Sequence, residues 1–134
     1  MSEVDNPRSV PAADVREASN GMLQQQLYAV FTTPAGGLAA VFANLVAHLE
    51  FQVGLEKEGI LYAAGPLWTD DEGHWEGEGM VVIRASSRAG GIAIAERDPM
   101  HQSGARSFTV RPWMINEGSM SLRLNYSTQT FEIK

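Results

Sequence analysis

The fold is decided by residues 38–59, which read LAAVFANLVAHLEFQVGLEKEG. At about 100° per residue, seven apolar side chains share one broad arc, as in an amphipathic helix packed on a core. They are Leu38, Val41, Phe42, Leu45, Leu49, Val53 and Leu55. Gly59 is expected to cap the C-terminus, because glycine readily adopts the left-handed conformation. The sequence therefore predicts a long helix from about Leu38 to Glu58.

The segments on both sides of this helix complete a repeating pattern. Strands are predicted at residues 24–33, 60–64, 79–85 and 106–115, and a second helix from Ser86 or Ser87 to about Asp98. The order strand, helix, strand, strand, helix, strand is the split βαβ pattern of an α+β, ferredoxin-like fold with an antiparallel sheet. Pro112 cannot donate to a strand ladder, so the last strand should lie at a sheet edge.

Two helices can cover only one face of such a sheet. The other face needs a partner to bury it, so we expect a homodimer or a higher homo-oligomer. The predicted domain spans residues 23–118, preceded by a flexible tail at residues 1–22. Residues 119–134 are expected to form a C-terminal β extension, with a hairpin built from residues 122–126 and 131–133.

The composition excludes several classes of protein. The chain has 134 residues, a formal net charge of −6 and no cysteine, which rules out disulfides and thiolate chemistry. No basic stripe is visible, so neither nucleic acid nor an anionic membrane is an expected partner. The longest apolar runs are far short of the roughly 20 residues that cross a bilayer. We expect a soluble cytoplasmic protein.

His48 is the most informative residue for function. It lies inside the apolar arc, between Leu45 and Gln52, where an ionisable side chain is out of pattern. An inward imidazole is suited to work as a general base or acid near neutral pH. The alternative is a structural histidine whose ring nitrogens are satisfied by backbone carbonyls.

Asp98 and His101 lie in the segment DPMHQSG, residues 98–104. Asp98 precedes Pro99 and is expected to end the second helix, because proline disfavours helical backbone in the residue before it. That role alone would explain an aspartate here. His101 is a candidate for substrate binding, with a solvated loop residue as the alternative.

Four further residues are candidates for substrate binding. Arg111 and Trp113 alternate with Phe108 and Val110, which places them on the second face of the sheet, where they could hold a planar anion or bridge two subunits. Pro66 and Trp68 could shape an apolar wall. The acidic loop TDDEGHWEGEG, residues 69–79, is either a solvated connection or a lid carrying Trp75.

Metals and cofactors are not expected. The three histidines lack HxH or HxxxH spacing, and the acidic loop lacks the ligand spacing of a calcium loop. No glycine-rich phosphate loop and no GxSxG elbow is present, which argues against NAD, ATP and a serine hydrolase.

The chain resembles the YCII-related family, small proteins similar to muconolactone isomerase, over about residues 24–115. The resemblance is carried by three stretches: HLEFQVGLEKEGILYAAGP at 48–66, AERDPMHQSG at 95–104 and FTVRPW at 108–113. It implies a dimeric α/β barrel and an active-site pair that by position is His48 and Asp98. Related proteins include a dehydrochlorinase of chlorinated hydroquinones. Two departures from the family are Gly90-Gly91 in the second helix and the extension after residue 115.

Together these observations predict a cofactor-independent isomerase or lyase. His48 would move a proton on a small, anionic, cyclic or aromatic-derived metabolite, and Asp98 would orient His48 or act as a second acid–base group. The alternative is a non-catalytic binding or assembly module that uses the same barrel to hold a ligand.

Overall fold

The computed structural model describes residues 6–134, which divide into two compact units. The sheet unit comprises residues 26–114, and the terminal unit comprises residues 6–25 with 115–134. The elements in chain order are α1 (Ala12–Ala18), β1 (Gln25–Pro34), α2 (Ala39–Lys57), β2 (Leu61–Pro66), β3 (Gly79–Ile83), α3 (Arg88–Glu96), α4 (Pro99–Gln102), β4 (Arg106–Ile115), β5 (Leu122–Asn125) and β6 (Thr130–Ile133).

The sheet has the strand order β2-β3-β1-β4. β3 runs antiparallel to both of its neighbours, with Tyr28 of β1 opposite Ile83. This order is that of a split βαβ, ferredoxin-like sheet, so the predicted α+β fold is confirmed. β4 lies at an edge of the sheet, so Pro112, which has no backbone N–H, does not interrupt the hydrogen bonds of the interior strands.

The core of the sheet unit lies between the sheet and the helices. One cluster joins Tyr28, Val30, Ile83, Ala95 and Val110, because alternate residues of the strands point to the face that α3 covers. A Cβ at Gly91 would come within 3.3 Å of Tyr28, so this glycine allows α3 to pack closely on β1. That contact is a physical reason for a weak helix former in α3.

Helix α2 begins after Leu38 and ends at Lys57. Glu58 is its C-cap, and Gly59 follows with φ +75°, as predicted. Its buried residues recur every seven positions: Val41, His48 and Leu55. The outer side of the apolar arc is not covered within the described residues. Phe42, Val46, Leu49 and Val53 are 47–70% exposed, since apolar side chains surround much of this helix and the sheet contacts one side of it.

The terminal unit differs in part from the prediction. Residues 12–18 form α1 where a flexible tail was predicted, and Pro11 precedes the helix with extended backbone. Residues 1–5 of that predicted tail lie outside the described residues. The predicted hairpin is present, with Leu122 opposite Ile133 and Leu124 opposite Phe131. Across residues 6–134, no helix combines the length and apolar character that crossing a membrane requires.

Candidate active site

His48 projects from the middle of α2 and is only 6% exposed. Its Nδ1 lies 2.9 Å from Oδ1 and 2.8 Å from Oδ2 of Asp98. A carboxylate only accepts hydrogen bonds, so Nδ1 carries the proton and donates it to Asp98. In the neutral imidazole, this leaves the lone pair on Nε2.

Asp98 is held in place from a second side. It is the N-cap of α4, and its Oδ1 accepts a hydrogen bond of 2.9 Å from the backbone N–H of Met100. The local sequence explains this geometry, because aspartate is a preferred N-cap and Pro99 suits the first helical position. Asp98 is 4% exposed, so the carboxylate is buried, capped and paired at once.

The paired histidine borders a cavity of about 360 Å³ on the helix-covered side of the sheet. No residue between 6 and 134 supplies a hydrogen-bond partner for Nε2 of His48, yet that atom is not fully enclosed by protein. Nε2 therefore keeps contact with the cavity. The lining comes from α2, the sheet and the acidic loop: Thr32, Leu45, His48, Leu49, Gln52, Ala64, Gly65, Pro66, Trp68, Trp75, Glu78, Gly79, Val81 and Arg106.

The acidic loop contributes Trp75, Glu78 and Gly79 to the lining of this cavity. Trp75 Nε1 donates a 2.8 Å hydrogen bond to the carbonyl of Glu78, and the indole packs edge-on to Phe42. Gly77 has φ +87°, and a Cβ there would approach Pro34 Cγ to 2.5 Å, so the chain needs glycine at this position. Trp68 lines the cavity and remains 60% exposed.

Arg106 brings a positive charge to the same cavity. It is 6% exposed, and its guanidinium carbon lies 5.9 Å from the centre of the Trp75 ring. Its Nε is buried and has no hydrogen-bond partner among the described residues. Burial lowers the pKa of Arg106, whereas the nearby Asp98 carboxylate acts in the opposite direction.

The YCII-related domain matches residues 26–114, which is most of the chain. The chain belongs to the YCII-related family. A similar solved structure is the 5-chloro-2-hydroxyhydroquinone dehydrochlorinase from Burkholderia phenoliruptrix AC1100, in complex with 2,5-dihydroxybenzoquinone. That structure is 22% identical, with a TM-score of 0.53 over 65% of this chain and 92% of the other. A search of curated proteins gave no significant match.

In this YCII-related protein, His101 is engaged by the protein itself. Nδ1 donates a 2.7 Å hydrogen bond to the carbonyl of Ala95. In the neutral ring, Nε2 accepts a 2.8 Å hydrogen bond from the hydroxyl of Thr32. The ring also packs on Phe108, with centroids 4.3 Å apart. Both ring nitrogens of His101 have protein partners, and the residue does not line the His48 cavity, so its role in substrate binding stays a prediction.

The environment of His101 predicts a pH effect on folding. Burial lowers the pKa of His101, and the Ala95 carbonyl only partly opposes that effect. Below the ordinary value of 6.5, the unfolded chain then binds more protons at this residue than the folded one, so the contribution of His101 to stability falls as pH falls. Urea titrations at pH 7.5 and 5.5 should show a smaller pH dependence for His101→Gln than for the wild type. His74→Gln, at an exposed position, is the control and should keep the pH dependence of the wild type. The prediction is contradicted if the free energy of unfolding of His101→Gln changes between the two pH values as much as that of the wild type.

Two predicted binding residues are not brought together with His48. Arg111 and Trp113 are exposed and do not line the cavity. Along β4, Arg106 and Val110 point to the buried face, so the odd-numbered residues point to the opposite side of the sheet. The sequence indicated this alternation correctly. The same alternation places Arg111 and Trp113 on the sheet face away from the cavity, which lies on the helix-covered side.

Pro66 and Trp68 do line the cavity, and so do residues that the sequence did not single out, among them Arg106, Thr32 and Glu78. Arg106 follows Gly104 and Ala105 as an isolated charge at the start of a strand, which is no signal of burial. Thr32 is 2% exposed, and its place in the alternation of β1 was the only sign that it faces inward. Glu78 was one of several acidic residues in the loop. Within the described part of the chain, no group of three or more acidic or histidine side chains could hold a metal ion.

Proposed function

We propose that this YCII-related protein is a cofactor-independent isomerase or lyase that moves a proton on a small, anionic, cyclic metabolite. One observation carries the proposal: a buried His48–Asp98 pair leaves Nε2 facing a cavity of about 360 Å³. A cavity of this volume suits a single-ring molecule better than a polymer or a dinucleotide.

The pair is arranged for general acid–base catalysis. Asp98 fixes the tautomer and orientation of the imidazole, so the lone pair of Nε2 is available to take a proton from a carbon next to a carbonyl. The resulting imidazolium is stabilised by the adjacent carboxylate. In an isomerisation, His48 returns the proton to another carbon. In an elimination, a leaving group departs with its bonding electrons as a double bond forms.

The substrate class is supported by the walls of the cavity and by the structural neighbour. Trp68, Trp75 and Pro66 offer apolar surface to one side of a ring. The neighbour is a dehydrochlorinase named for a chlorinated hydroquinone and was solved with a quinone, which supports a cyclic, oxygen-bearing substrate for this chain.

A screen for turnover tests this function. Muconolactones and halogenated hydroquinones would be incubated with the protein, with proton exchange and product followed by NMR in deuterated buffer. Proton exchange or conversion that the protein accelerates would support the proposal. Stoichiometric binding without any exchange would instead indicate a binding module.

We also propose that the protein is a homodimer. Phe31 and Trp113 lie on the sheet face opposite the core and are 37% and 43% exposed, although Leu27 and Ala29 on that face are buried. Burying the open part of this face would complete a barrel between two copies. Light scattering at low micromolar concentration should give the mass of a dimer, and a stable monomer would contradict the prediction.

A pair of substitutions locates the dimer interface. Phe31→Lys should shift the protein toward monomer, because it places a charge on the sheet face that we expect to be buried. Val46→Lys is the matched control, since Val46 is equally apolar and lies on the outer side of α2. A monomer produced by Val46→Lys alone would assign the interface to the helix instead.

A further inference from the structure

Arg106 is a buried cation that forms no ion pair within residues 6–134. Only 6% of the residue is exposed, and Nε has neither solvent contact nor a hydrogen-bond partner among residues 6–134. The ion pairs of the described residues, His48–Asp98 and Lys134–Glu132, do not include it. Buried charges are normally paired, so a buried arginine of this kind calls for a functional explanation.

Asp98 acts electrostatically on Arg106, but its carboxylate hydrogen-bonds to His48 and Met100 instead. Both carboxylate oxygens lie within 2.9 Å of His48 Nδ1, and Oδ1 also accepts from Met100 N. The carboxylate therefore influences Arg106 through space without forming an ion pair with it. Glu78 lines the cavity too, but its side chain is exposed and makes no ion pair with the guanidinium.

The surroundings of Arg106 favour a planar ligand. The guanidinium lies over Trp75, whose indole is anchored by its hydrogen bond to Glu78 and its contact with Phe42. An arginine supported on an aromatic ring keeps its planar fork of donors in a fixed orientation. That fork matches two oxygens of a carboxylate, or the conjugated oxygens of an enolate, better than it matches a rounded group.

We propose that Arg106 binds the anionic oxygens of the substrate and so selects a planar, negatively charged ring compound. The inference rests on the proposed function of the His48 site and specifies its substrate class. Arg106 and His48 line the same cavity, from the start of β4 and the middle of α2. A ring held by its anionic oxygens at Arg106 can present a carbon to Nε2 of His48, and a negative charge that grows on those oxygens during proton removal meets a guanidinium already in place.

Calorimetric binding measurements with matched ligands test this assignment. Benzoate and 2,5-dihydroxybenzoquinone serve as the anions, and benzamide and 2,5-dimethoxybenzoquinone as uncharged ligands of similar shape. In Arg106→Gln, affinity for at least one anion should fall roughly 10- to 100-fold, the range expected for losing a charge-assisted hydrogen bond. Affinity for the uncharged ligands should change by less than about twofold, since glutamine keeps part of the volume and polarity.

Arg123→Gln is the matched control, because it removes the same charge from an exposed position on β5 that does not line the cavity. It should leave anion affinity unchanged. Arg106→Lys provides a second variant that keeps the charge but lacks the planar fork, and it should bind the anions with intermediate affinity. Thermal unfolding of each variant establishes that the protein is folded at the temperature of the measurement.

The assignment is overturned if folded Arg106→Gln and Arg106→Lys bind the anions as tightly as the wild type. It is also overturned if the wild type does not prefer the anions to their uncharged counterparts. Neither result depends on turnover. If the protein prefers anions through Arg106 but catalyses no proton exchange, the role of Arg106 stands and the proposed function is wrong.

Discussion

Replacing His48 with glutamine is expected to lower kcat by about 10²–10⁴-fold, the usual contribution of a general base. Glutamine keeps much of the size of histidine and can still donate to Asp98, but it has no basic nitrogen to face the cavity. Substrate affinity should change much less, because the anion-binding group is Arg106. Single-turnover kinetics with a substrate from the screen would separate the chemical step from binding.

His74→Gln is the control for this experiment. His74 lies in the acidic loop, is exposed and does not line the His48 cavity, so the same substitution there should leave the rate unchanged. Wild-type turnover in a folded His48→Gln protein would show that His48 is a structural histidine, and the proposed mechanism would be wrong.

The sequence was most informative where local rules and tertiary structure agree. Gly59 ends α2, Ser87 caps α3 through Gly90 N, and Pro112 lies on an edge strand, because each position is governed by backbone chemistry that is visible in the chain. His48 stood out because a polar residue interrupted an apolar arc. The role of Asp98 as an N-cap follows from its place before Pro99, but its pairing with His48 joins residues 50 positions apart.

The sequence was least informative where burial depends on which surfaces meet. No sequence pattern around Arg106 predicts its burial, and in the fold it lies buried against Trp75 of the acidic loop. The reverse holds for α2, where periodicity identified an apolar arc but could not show that only one side of it is covered. The alternation along β4 correctly placed Arg111 on the sheet face opposite Val110. Which of the two faces carries the cavity could not be predicted from the sequence and is shown only by the fold.

Replacing Asp98 with alanine is expected to lower the free energy of unfolding by about 2–4 kcal/mol. Loss of an N-cap side chain costs about 1 kcal/mol, here through the contact with Met100 N. A further 1–3 kcal/mol or so is expected because the buried Nδ1–H of His48 loses its acceptor. Urea unfolding followed by tryptophan fluorescence, at one fixed protein concentration, measures the change.

Ser87→Ala separates capping from pairing in the loss at Asp98. Ser87 caps α3 with a 3.0 Å hydrogen bond from Gly90 N and has no ionised partner among residues 6–134, so its removal should cost about 1 kcal/mol. The loss of unfolding free energy in Asp98→Ala should exceed the loss in Ser87→Ala by the contribution of the His48–Asp98 contact. In the double variant His48→Ala with Asp98→Ala, the total loss should be smaller than the sum of the single losses, because either substitution alone already removes the His48–Asp98 contact. Additive losses, or an Asp98→Ala effect no larger than that of Ser87→Ala, would mean that Asp98 acts only as a helix cap and that His48 is oriented by other contacts.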